Sequence, residues 1–431
     1  MKAAILGIGT ELLTGLVRDY NAYFLAQKLV DKGILPQFIL FVPDQMEKIV
    51  DALQFIMKEE EVRLVIVSGG LGPTEDDLTR EAVAQAFGRS LIFSPEAWDR
   101  IQFFYRELRN TEPPENNRRQ AFIPQGAEIL YNERGTAPGF KLEVNGKSIF
   151  VIPGVPREAE FFWSLIEKDL PREEEYFYRS PIFKFCGIGE SNLAKEVEPF
   201  LRHLPSSFNL AFLPNYGEVW LYVYSSRFSP EEKESALIFL EEVARHLDRF
   251  FFSPYGDTLE EAVGNMMKEK GLKLGLAESC TGGLVANRIT DIAGSSQYFE
   301  RGYVVYSNEA KKEDLKVPEE ILQEKGAVSE ETARFLARGV RHKGKVDLGL
   351  GITGIAGPGG GSKEKPVGLV YIALSSEEGV RVQKFHFSGD RLMNKRFASQ
   401  SALVMIFQYL KEKFGNEFNY HQKLCGFRPS L

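Results

Sequence analysis

Short apolar runs alternate with helix-like segments along residues 1 to about 170. Strands are predicted at Ala3–Ile8, Gln37–Val42 and Leu64–Ser68, with helices at Asn21–Lys32 and Gln45–Lys58 between them. This alternation is typical of a βαβ series, and it predicts a parallel sheet with helices on both faces. Later apolar runs predict a hairpin of Gly139–Val144 and Ser148–Ile152, turned at Asn145-Gly146.

The pattern changes after residue 170 and returns near residue 254. Pro171–Glu175 is charged and begins with proline, which predicts a linker, and the residues up to 253 predict a small α+β module. The βαβ pattern then resumes with predicted strands at Leu272–Ala277, Gly302–Tyr306, Asp347–Ile352 and Val367–Leu374. The predicted fold class is α/β, with two parallel-sheet α/β domains, residues 1–170 and 254–420, flanking the α+β module at residues 171–253. The tail His421–Leu431 has no regular pattern.

Composition and charge narrow the class of protein. A chain of 431 residues is longer than an ordinary domain with one hydrophobic core, so we expect two or three domains. The formal net charge of −7 disfavours a dedicated nucleic-acid binder, because such a protein normally has a basic face. The cysteines Cys186, Cys280 and Cys425 form no CxxC pair, so neither a zinc site nor a disulfide framework is indicated. The N-terminal residues lack a signal-peptide layout, and no apolar run reaches the length of a membrane span. We therefore expect a cytoplasmic protein that crosses no membrane.

The most informative motif is Ala277–Gly283, with the sequence AESCTGG. An apolar run precedes it and a helix-like run follows it, so the motif predicts a sharp turn between a strand and a helix. Such a turn places the hydroxyl of Ser279 near the free N–H groups of the next helix, where a nucleophile has an oxyanion hole close by. Ser279 is also a good helix N-cap, and that simpler interpretation stays open. Cys280 is a rival nucleophile.

Three further motifs end predicted strands or open predicted helices of the same domain. They are Tyr306–Lys311, the loop Thr353–Gly361, and Ser388–Arg391. Lys311 is the available base if burial lowers its pKa, and Tyr306 could relay a proton or hold the amine. The glycines allow backbone N–H groups to approach a phosphate, and Arg391 could bind one bidentately.

Taken singly, each motif also has a structural interpretation: core packing for Tyr306, a solvated helix residue for Lys311, a flexible loop for the glycines and a surface ion pair for Arg391. Their common position at the carboxyl edge of a predicted sheet favours a site.

These motifs resemble those of the nicotinamide-nucleotide amidohydrolase domain of the CinA (competence/damage-inducible) family, over about 165 residues. The resemblance implies hydrolysis of nicotinamide mononucleotide to nicotinate mononucleotide and ammonia, with no cofactor. By position, Ser279 matches the nucleophile, Lys311 the base and Tyr306 its partner. The expected substrate-binding residues are Thr353, Gly357, Gly360, Arg391, Gly282 and Gly283. Ser388 departs from the proline usual in the family.

Near the N-terminus, Gly7–Leu12 begins like a dinucleotide fingerprint, but Leu12 stands in place of the third glycine, so we reject a Rossmann site. A better candidate is Ser68–Thr79, where a strand ends in glycines and acidic residues open a helix. Glycines permit close approach to a phosphate, and carboxylates bind hard divalent cations. Charge matching to the helix dipole explains Glu75, Asp76 and Asp77 equally well.

This region resembles the molybdopterin-binding-type domain that opens CinA proteins. The resemblance implies metal-dependent hydrolysis of ADP-ribose to AMP and ribose 5-phosphate, with Mg²⁺ or Co²⁺. The expected metal ligands are Asp44, Asp76 and Asp77, and the expected nucleotide-site residues are Glu11, Asn21, Gly69, Gly70, Gly72 and Thr74. Tyr20 stands where the family commonly has threonine.

The middle module resembles the KH-like segment of the same family. Its loop Gly187–Glu190 is a poor match to the nucleic-acid motif GxxG, because Glu190 places a negative charge where phosphate would lie. We therefore expect a spacer or a homodimer contact, and small-molecule nucleotides as the ligands of the whole chain. Two alternatives stay open: a non-catalytic nucleotide sensor at the N-terminus, or a DNA-uptake or repair accessory.

Overall fold

A computed structural model describes residues 1–108, 110–170 and 177–415. The predicted linker Pro171–Glu175, the tail His421–Leu431 and Cys425 lie outside the described residues. The chain divides into two compact units: the first contains Met1–Arg179 with Ser225–Arg227, and the second contains Ser180–Tyr224 and the residues from Phe228 onward. No helix of the described part is both long and apolar enough to cross a membrane.

The first unit is built on a six-stranded sheet. The strands of this unit are β1 (Lys2–Ile8), β2 (Pro36–Val42), β3 (Val62–Ser68), β4 (Leu91–Phe93), β5 (Phe122–Pro124), β6 (Glu128–Leu130), β7 (Gly139–Val144), β8 (Lys147–Ile152) and β9 (Tyr178–Arg179). Strands β4 and β5 pair with each other in a separate two-stranded sheet, and β9 is not part of the six-stranded sheet. The helices of this unit are α1 (Thr10–Leu13), α2 (Asn21–Asp31), α3 (Met46–Lys58), α4 (Thr79–Ala86), α5 (Pro95–Phe103) and α6 (Pro156–Ile166). The order in the sheet is β2-β1-β3-β8-β7-β6. The strands β2, β1, β3 and β8 are parallel, as the βαβ series predicted for β1, β2 and β3. Strands β7 and β6 are antiparallel, so the sheet as a whole is mixed.

Helices cover both faces of this sheet, as predicted. On one face Leu6 and Val67 pack with Leu53 of α3, and on the other Ile5 and Ile66 pack with side chains of α2 and α6. Because both faces are buried, the central strands are apolar at nearly every position. The predicted hairpin between β7 and β8 is confirmed, with Asn145 at φ 52° and Gly146 at φ 73°.

The second unit contains two sheets. Its strands are β10 (Phe183–Cys186), β11 (Asn209–Asn215), β12 (Glu218–Ser225), β13 (Phe251–Ser253), β14 (Leu274–Glu278), β15 (Phe299–Val304), β16 (Leu348–Gly354), β17 (Leu369–Ser376) and β18 (Gly379–His386). Its helices are α7 (Glu190–Val197), α8 (Pro230–His246), α9 (Leu259–Glu269), α10 (Leu284–Thr290), α11 (Asn308–Leu315), α12 (Glu319–Glu324), α13 (Glu330–Gly344) and α14 (Arg391–Phe414).

The larger sheet has the order β15-β14-β16-β17-β18. Strands β15, β14 and β16 are parallel, and β17 and β18 are antiparallel, so this sheet is also mixed rather than wholly parallel. The carboxyl ends of the three parallel strands lie at one edge. Strand β15 ends at Val304, which places Tyr306 in the loop that follows rather than in the strand.

The smaller sheet, β11-β12-β10-β13, is antiparallel and carries α7 and α8, which confirms an α+β layer. Its Cys186 and Phe252 belong to the same hydrophobic core as Leu276 of β14 and Phe407 of α14. The small layer therefore shares a core with the C-terminal sheet. The boundary at residue 253 and the likeness to KH domains stay predictions.

Candidate active site

Ser279 lies on the turn directly after β14. Its N–H donates to the carbonyl of Ile352 in β16 at 3.1 Å, and its own carbonyl accepts from Gly282 N at 3.1 Å. This tight turn requires left-handed backbone at Gly282, φ 65°, and at Gly283, φ 92°, which glycine adopts without strain. Gly283, rather than Ser279, is the N-cap of α10, so the N-cap interpretation of Ser279 was wrong.

Lys311 lies one turn into α11 with only 1% of its surface exposed. Its Nζ is 3.1 Å from Ser279 Oγ, 2.8 Å from the carbonyl oxygen of Val305 and 3.1 Å from that of Tyr306. Burial disfavours the charged ammonium and lowers the pKa of Lys311 to about 8. A neutral amine fits these contacts, because its two N–H groups can donate to the carbonyls while its lone pair accepts the Ser279 hydroxyl.

The Cys280 thiol is poorly suited to act as the nucleophile. Its side chain is 6% exposed and belongs to the hydrophobic core of the second unit. Burial raises the pKa of the Cys280 thiol to about 12. The thiol therefore stays protonated at neutral pH, which disfavours it as the nucleophile.

Glu278 occupies the N-terminus of α10. Its buried carboxylate accepts hydrogen bonds from the N–H groups of Gly283 at 3.0 Å, Val285 at 3.2 Å and Ala286 at 2.9 Å. The sequence predicts that the free N–H groups of this helix provide an oxyanion hole. That prediction was wrong for these three groups, because the carboxylate one residue before Ser279 already binds them.

The remaining motifs meet at Arg391, the first residue of α14. Its guanidinium donates to the carbonyl of Gly357 at 2.7 Å and to the hydroxyl of Tyr306 at 2.9 Å. The Tyr306 side chain is 59% exposed, and its hydroxyl contacts Arg391, while its main-chain carbonyl contacts Lys311. Hydrogen bonds thus connect Ser279, Lys311, Tyr306, Arg391 and Gly357 in one continuous series.

A cavity of about 480 Å³ lies beside Arg391. It is lined by Ala356, Gly357, Pro358, Val367, Gly389, Asp390, Arg391 and Leu392. Gly357 has φ 91°, and a Cβ there would lie 2.6 Å from Val367, so the loop needs glycine at this position. Gly360 also has positive φ, 85°. Thr353 is buried, and its hydroxyl donates to the carbonyl of Ala327 at 2.6 Å, so it contacts the chain rather than this cavity.

Sequence reasoning missed two polar residues of this site, Glu278 and Asn394. Asn394 is 1% exposed, donates to the carbonyl of Ala356 at 3.0 Å and accepts from Gly389 N at 3.0 Å. It therefore joins the two loops that line the cavity. Asn394 lies three residues after Arg391, and residues at this spacing share one face of a helix, so the sequence could have indicated that both belong to the site.

The predicted N-terminal site also lies at the carboxyl edge of its sheet. Asp44 accepts from Thr10 N at 2.7 Å and from Thr10 Oγ1 at 2.9 Å, which joins the loops after β1 and β2. Asn21 donates to Ser68 Oγ at 2.9 Å and to the carbonyl of Gly154 at 2.8 Å, which joins the ends of β3 and β8. Glu11 lies on α1 and is exposed.

Asp77 holds the glycine loop together. Its carboxylate accepts from Gly72 N at 2.7 Å, Thr74 N at 2.8 Å and Thr74 Oγ1 at 2.5 Å. Both glycines of this loop have positive φ, 111° at Gly69 and 65° at Gly70. A Cβ on Gly69 would lie 2.2 Å from the carbonyl oxygen of Ile8, and a Cβ on Gly70 would lie 2.2 Å from Thr79 Oγ1. Gly69 N already donates to Ile152 O at 3.1 Å. The N–H groups of Gly69 and Gly72 are thus engaged within the chain.

The predicted metal ligands Asp44, Asp76 and Asp77 do not meet in one cluster. Within the described residues, no group of three or more His, Cys, Asp or Glu side chains could hold a metal ion. Asp44 and Asp77 each hold a loop, as above. Asp76 is exposed, and a hydrogen bond from Thr74 lowers its pKa. The described residues therefore provide no preformed site for Mg²⁺ or Co²⁺, and we derive no step through a metal.

The chain is therefore a mixed α/β protein with a buried Ser–Lys pair at the edge of a sheet. The model of the "CinA C-terminal domain" matches residues 256–410, and that described as "Probable molybdopterin binding domain" matches residues 4–172. A "Putative competence-damage inducible protein" of Caldicellulosiruptor bescii is 41% identical over 410 residues, covering 94% of this chain and 98% of that one. A "CinA-like protein" of Syntrophus aciditrophicus is 41% identical over 419 residues, covering 95% and 98%. The chain belongs to the CinA family.

Among solved structures, a competence/damage inducible protein from Agrobacterium tumefaciens is 40% identical, with a TM-score of 0.35. The match covers 36% of this chain and 93% of that one.

Proposed function

We propose that the second unit hydrolyses the carboxamide of nicotinamide mononucleotide, giving nicotinate mononucleotide and ammonia. The observation that carries the proposal is the 3.1 Å approach of a buried lysine amine, with its pKa lowered to about 8, to Ser279 Oγ. A serine hydroxyl is a weak nucleophile until an adjacent base accepts its proton. Lys311 is the group in contact with that hydroxyl.

The reaction proceeds in two halves. Ser279 Oγ attacks the carboxamide carbon while Lys311 Nζ accepts the hydroxyl proton. The tetrahedral intermediate then breaks its C–N bond, and Lys311 returns the proton to the departing nitrogen, which leaves as ammonia. Water next attacks the Ser279 ester as neutral Lys311 accepts its proton, and that proton returns to Ser279 Oγ as the nicotinate product leaves.

The cavity beside Arg391 supports a mononucleotide substrate. A pyridine mononucleotide has the carboxamide at one end and a phosphate at the other, so a site for it needs a cation away from the nucleophile. Arg391 is such a cation, and among the described residues its guanidinium donates to the neutral Gly357 carbonyl and Tyr306 hydroxyl. Its charge is therefore available to an anion.

The test is to incubate the purified chain with nicotinamide mononucleotide and to measure ammonia and nicotinate mononucleotide together. The proposal expects both products in equal amounts. Absence of ammonia at millimolar substrate and at pH values from 7 to 9 would overturn it.

For the first unit we propose nucleotide binding at the edge formed by the loops after β1, β2, β3 and β8, with ADP-ribose hydrolysis to AMP and ribose 5-phosphate as the activity to test. The supporting observation is that the Asp44 carboxylate accepts from Thr10 and the Asn21 amide donates to Ser68 and Gly154, which joins those loops. Adding ADP-ribose with Mg²⁺ or Co²⁺ separates the alternatives, because a non-catalytic sensor binds without forming AMP.

Asp77→Ala should remove AMP formation and leave ammonia release intact, since Asp77 holds only the loop of the first unit. A salt-dependent gel shift would favour the DNA accessory instead.

A further inference from the structure

Lys395 is a half-buried lysine near the nucleophilic turn that the proposed chemistry does not use. It lies on α14, and its Nζ is 3.6 Å from the position that a Cβ on Gly282 would occupy. Gly282 closes the turn that begins at Ser279. The amine of Lys395 therefore lies over the turn rather than in open solvent.

No carboxylate neutralises this amine. Lys395 makes no hydrogen bond, ion pair or ring contact with any residue in 1–108, 110–170 or 177–415. Asp390, at the N-cap of the same helix, directs its carboxylate to Met393 N at 2.8 Å, and Glu278 is bound by three N–H groups of α10. A partly desolvated cation without a counter-ion is costly, and an anionic ligand would remove that cost.

Arg391 and Lys395 are four residues apart on α14, so both lie on one face of the helix. Two like charges at this spacing repel each other by a few tenths of a kcal/mol. Arg391 lines the cavity, and Lys395, one helical turn further along α14, has its Nζ beside Gly282 of the Ser279 turn. An anion between the two side chains would convert the repulsion into two attractions.

We propose that Lys395 and Arg391 together bind the phosphate of the mononucleotide substrate. The inference rests on the proposed function, because it takes the anion to be the phosphate carried by the molecule whose carboxamide meets Ser279. In this arrangement the planar guanidinium of Arg391 and the compact ammonium of Lys395 both bind the phosphate dianion. Lys395 thereby contributes to substrate binding, not to the reacting atoms. Its contribution is equal in ground state and transition state, so it appears in KM rather than in kcat.

The test compares the variants Lys395→Met and Lys395→Arg with a control, Lys195→Met. Lys195 is an exposed lysine of α7, distant in sequence from Lys395. Ammonia release is measured with nicotinamide mononucleotide and with nicotinamide riboside, which lacks the phosphate. For Lys395→Met we expect KM for the mononucleotide to rise about tenfold or more with kcat little changed, since a charge-assisted hydrogen bond contributes about that factor. Lys395→Arg should restore most of the affinity. Both Lys395 variants should match the wild type with the riboside.

Equal loss with riboside and mononucleotide would overturn the proposal, because Lys395 would then act at Ser279 or through the fold. An unchanged KM for the mononucleotide would also overturn it.

A second measurement separates this inference from the proposed function. Binding of inorganic phosphate is titrated by calorimetry at constant ionic strength on the wild type and the three variants. We expect Lys395→Met to weaken phosphate binding about tenfold and Lys195→Met to leave it unchanged. If the wild type releases no ammonia, the proposed function fails while this titration still decides the anion site. Equal phosphate binding by wild type and Lys395→Met overturns the site.

Discussion

At the scale of single residues, the amine of Lys311 sets the pH at which the candidate site works. The base must be neutral to accept the Ser279 proton, and burial lowers its pKa to about 8 from 10.5. Below that pKa the neutral fraction falls tenfold per pH unit, so kcat/KM should rise with pH and level off above about 8. A pH profile of ammonia release from pH 6 to 10 checks this expectation.

The control for that profile is Lys311→Arg, whose guanidinium stays charged throughout the range and should be inactive at every pH. A profile of the wild type that is flat between pH 6 and 9 would contradict the assignment of Lys311 as the base.

The sequence allowed Ser279 and Lys311 to be predicted as partners because each belongs to a motif at a strand end. It did not allow the role of Glu278 to be predicted. A carboxylate before the nucleophile can point to either face of the sheet, and only the fold shows that it turns back to the amides of α10. The same holds for Tyr306, whose hydroxyl contacts Arg391 rather than Lys311.

At the scale of elements, the turn between β14 and α10 depends on the Glu278 carboxylate. Glu278→Ala would leave three N–H groups of the helix start without their acceptor. We expect a loss of about 2 to 4 kcal/mol in the free energy of unfolding of the second unit, together with a large loss of ammonia release, because Ser279 is displaced. Urea unfolding followed by circular dichroism measures the change in the free energy of unfolding, and the ammonia assay measures the loss of activity.

Glu313→Ala is the matched control, since Glu313 is exposed on α11. It should change stability by less than about 0.5 kcal/mol. Equal stability of the Glu278 and Glu313 variants would show that the carboxylate does not hold the turn.

Strand positions were predicted well where both faces are buried, because β1, β3 and β14 are nearly continuous apolar runs. Strand direction was predicted less well. Strand β18 alternates exposed and half-buried residues and gave no clear signal, so the antiparallel pair β17–β18 was missed. In the first unit the β7–β8 hairpin was predicted, but the local pattern did not show that β8 pairs with β3.

At the scale of the whole molecule, the C-terminal sheet and the small antiparallel layer share one core. Phe252 packs edge-on against Phe407 of α14, with ring centroids 6.2 Å apart, and is fully buried. A fragment beginning at Tyr255 loses this ring, whereas one beginning at Ser180 keeps it. We expect both fragments to release ammonia, and the longer one to be more stable by about 3 kcal/mol or more.

Urea unfolding of the two fragments checks the difference in stability. A shorter fragment as stable as the longer one would mean that the small layer contributes nothing to this core. The homodimer stays a prediction, and sedimentation of the intact chain tests it.

The proposed reaction requires the Ser279 hydroxyl to attack the carboxamide. It is tested most directly by ammonia release from nicotinamide mononucleotide by Ser279→Ala and Cys280→Ala, measured beside the wild type under the same conditions. We expect Ser279→Ala to lose at least about a thousandfold in kcat and Cys280→Ala to keep most of it, because burial raises the pKa of the Cys280 thiol to about 12. Near-normal turnover by Ser279→Ala together with loss of turnover in Cys280→Ala would show that Ser279 is not the nucleophile.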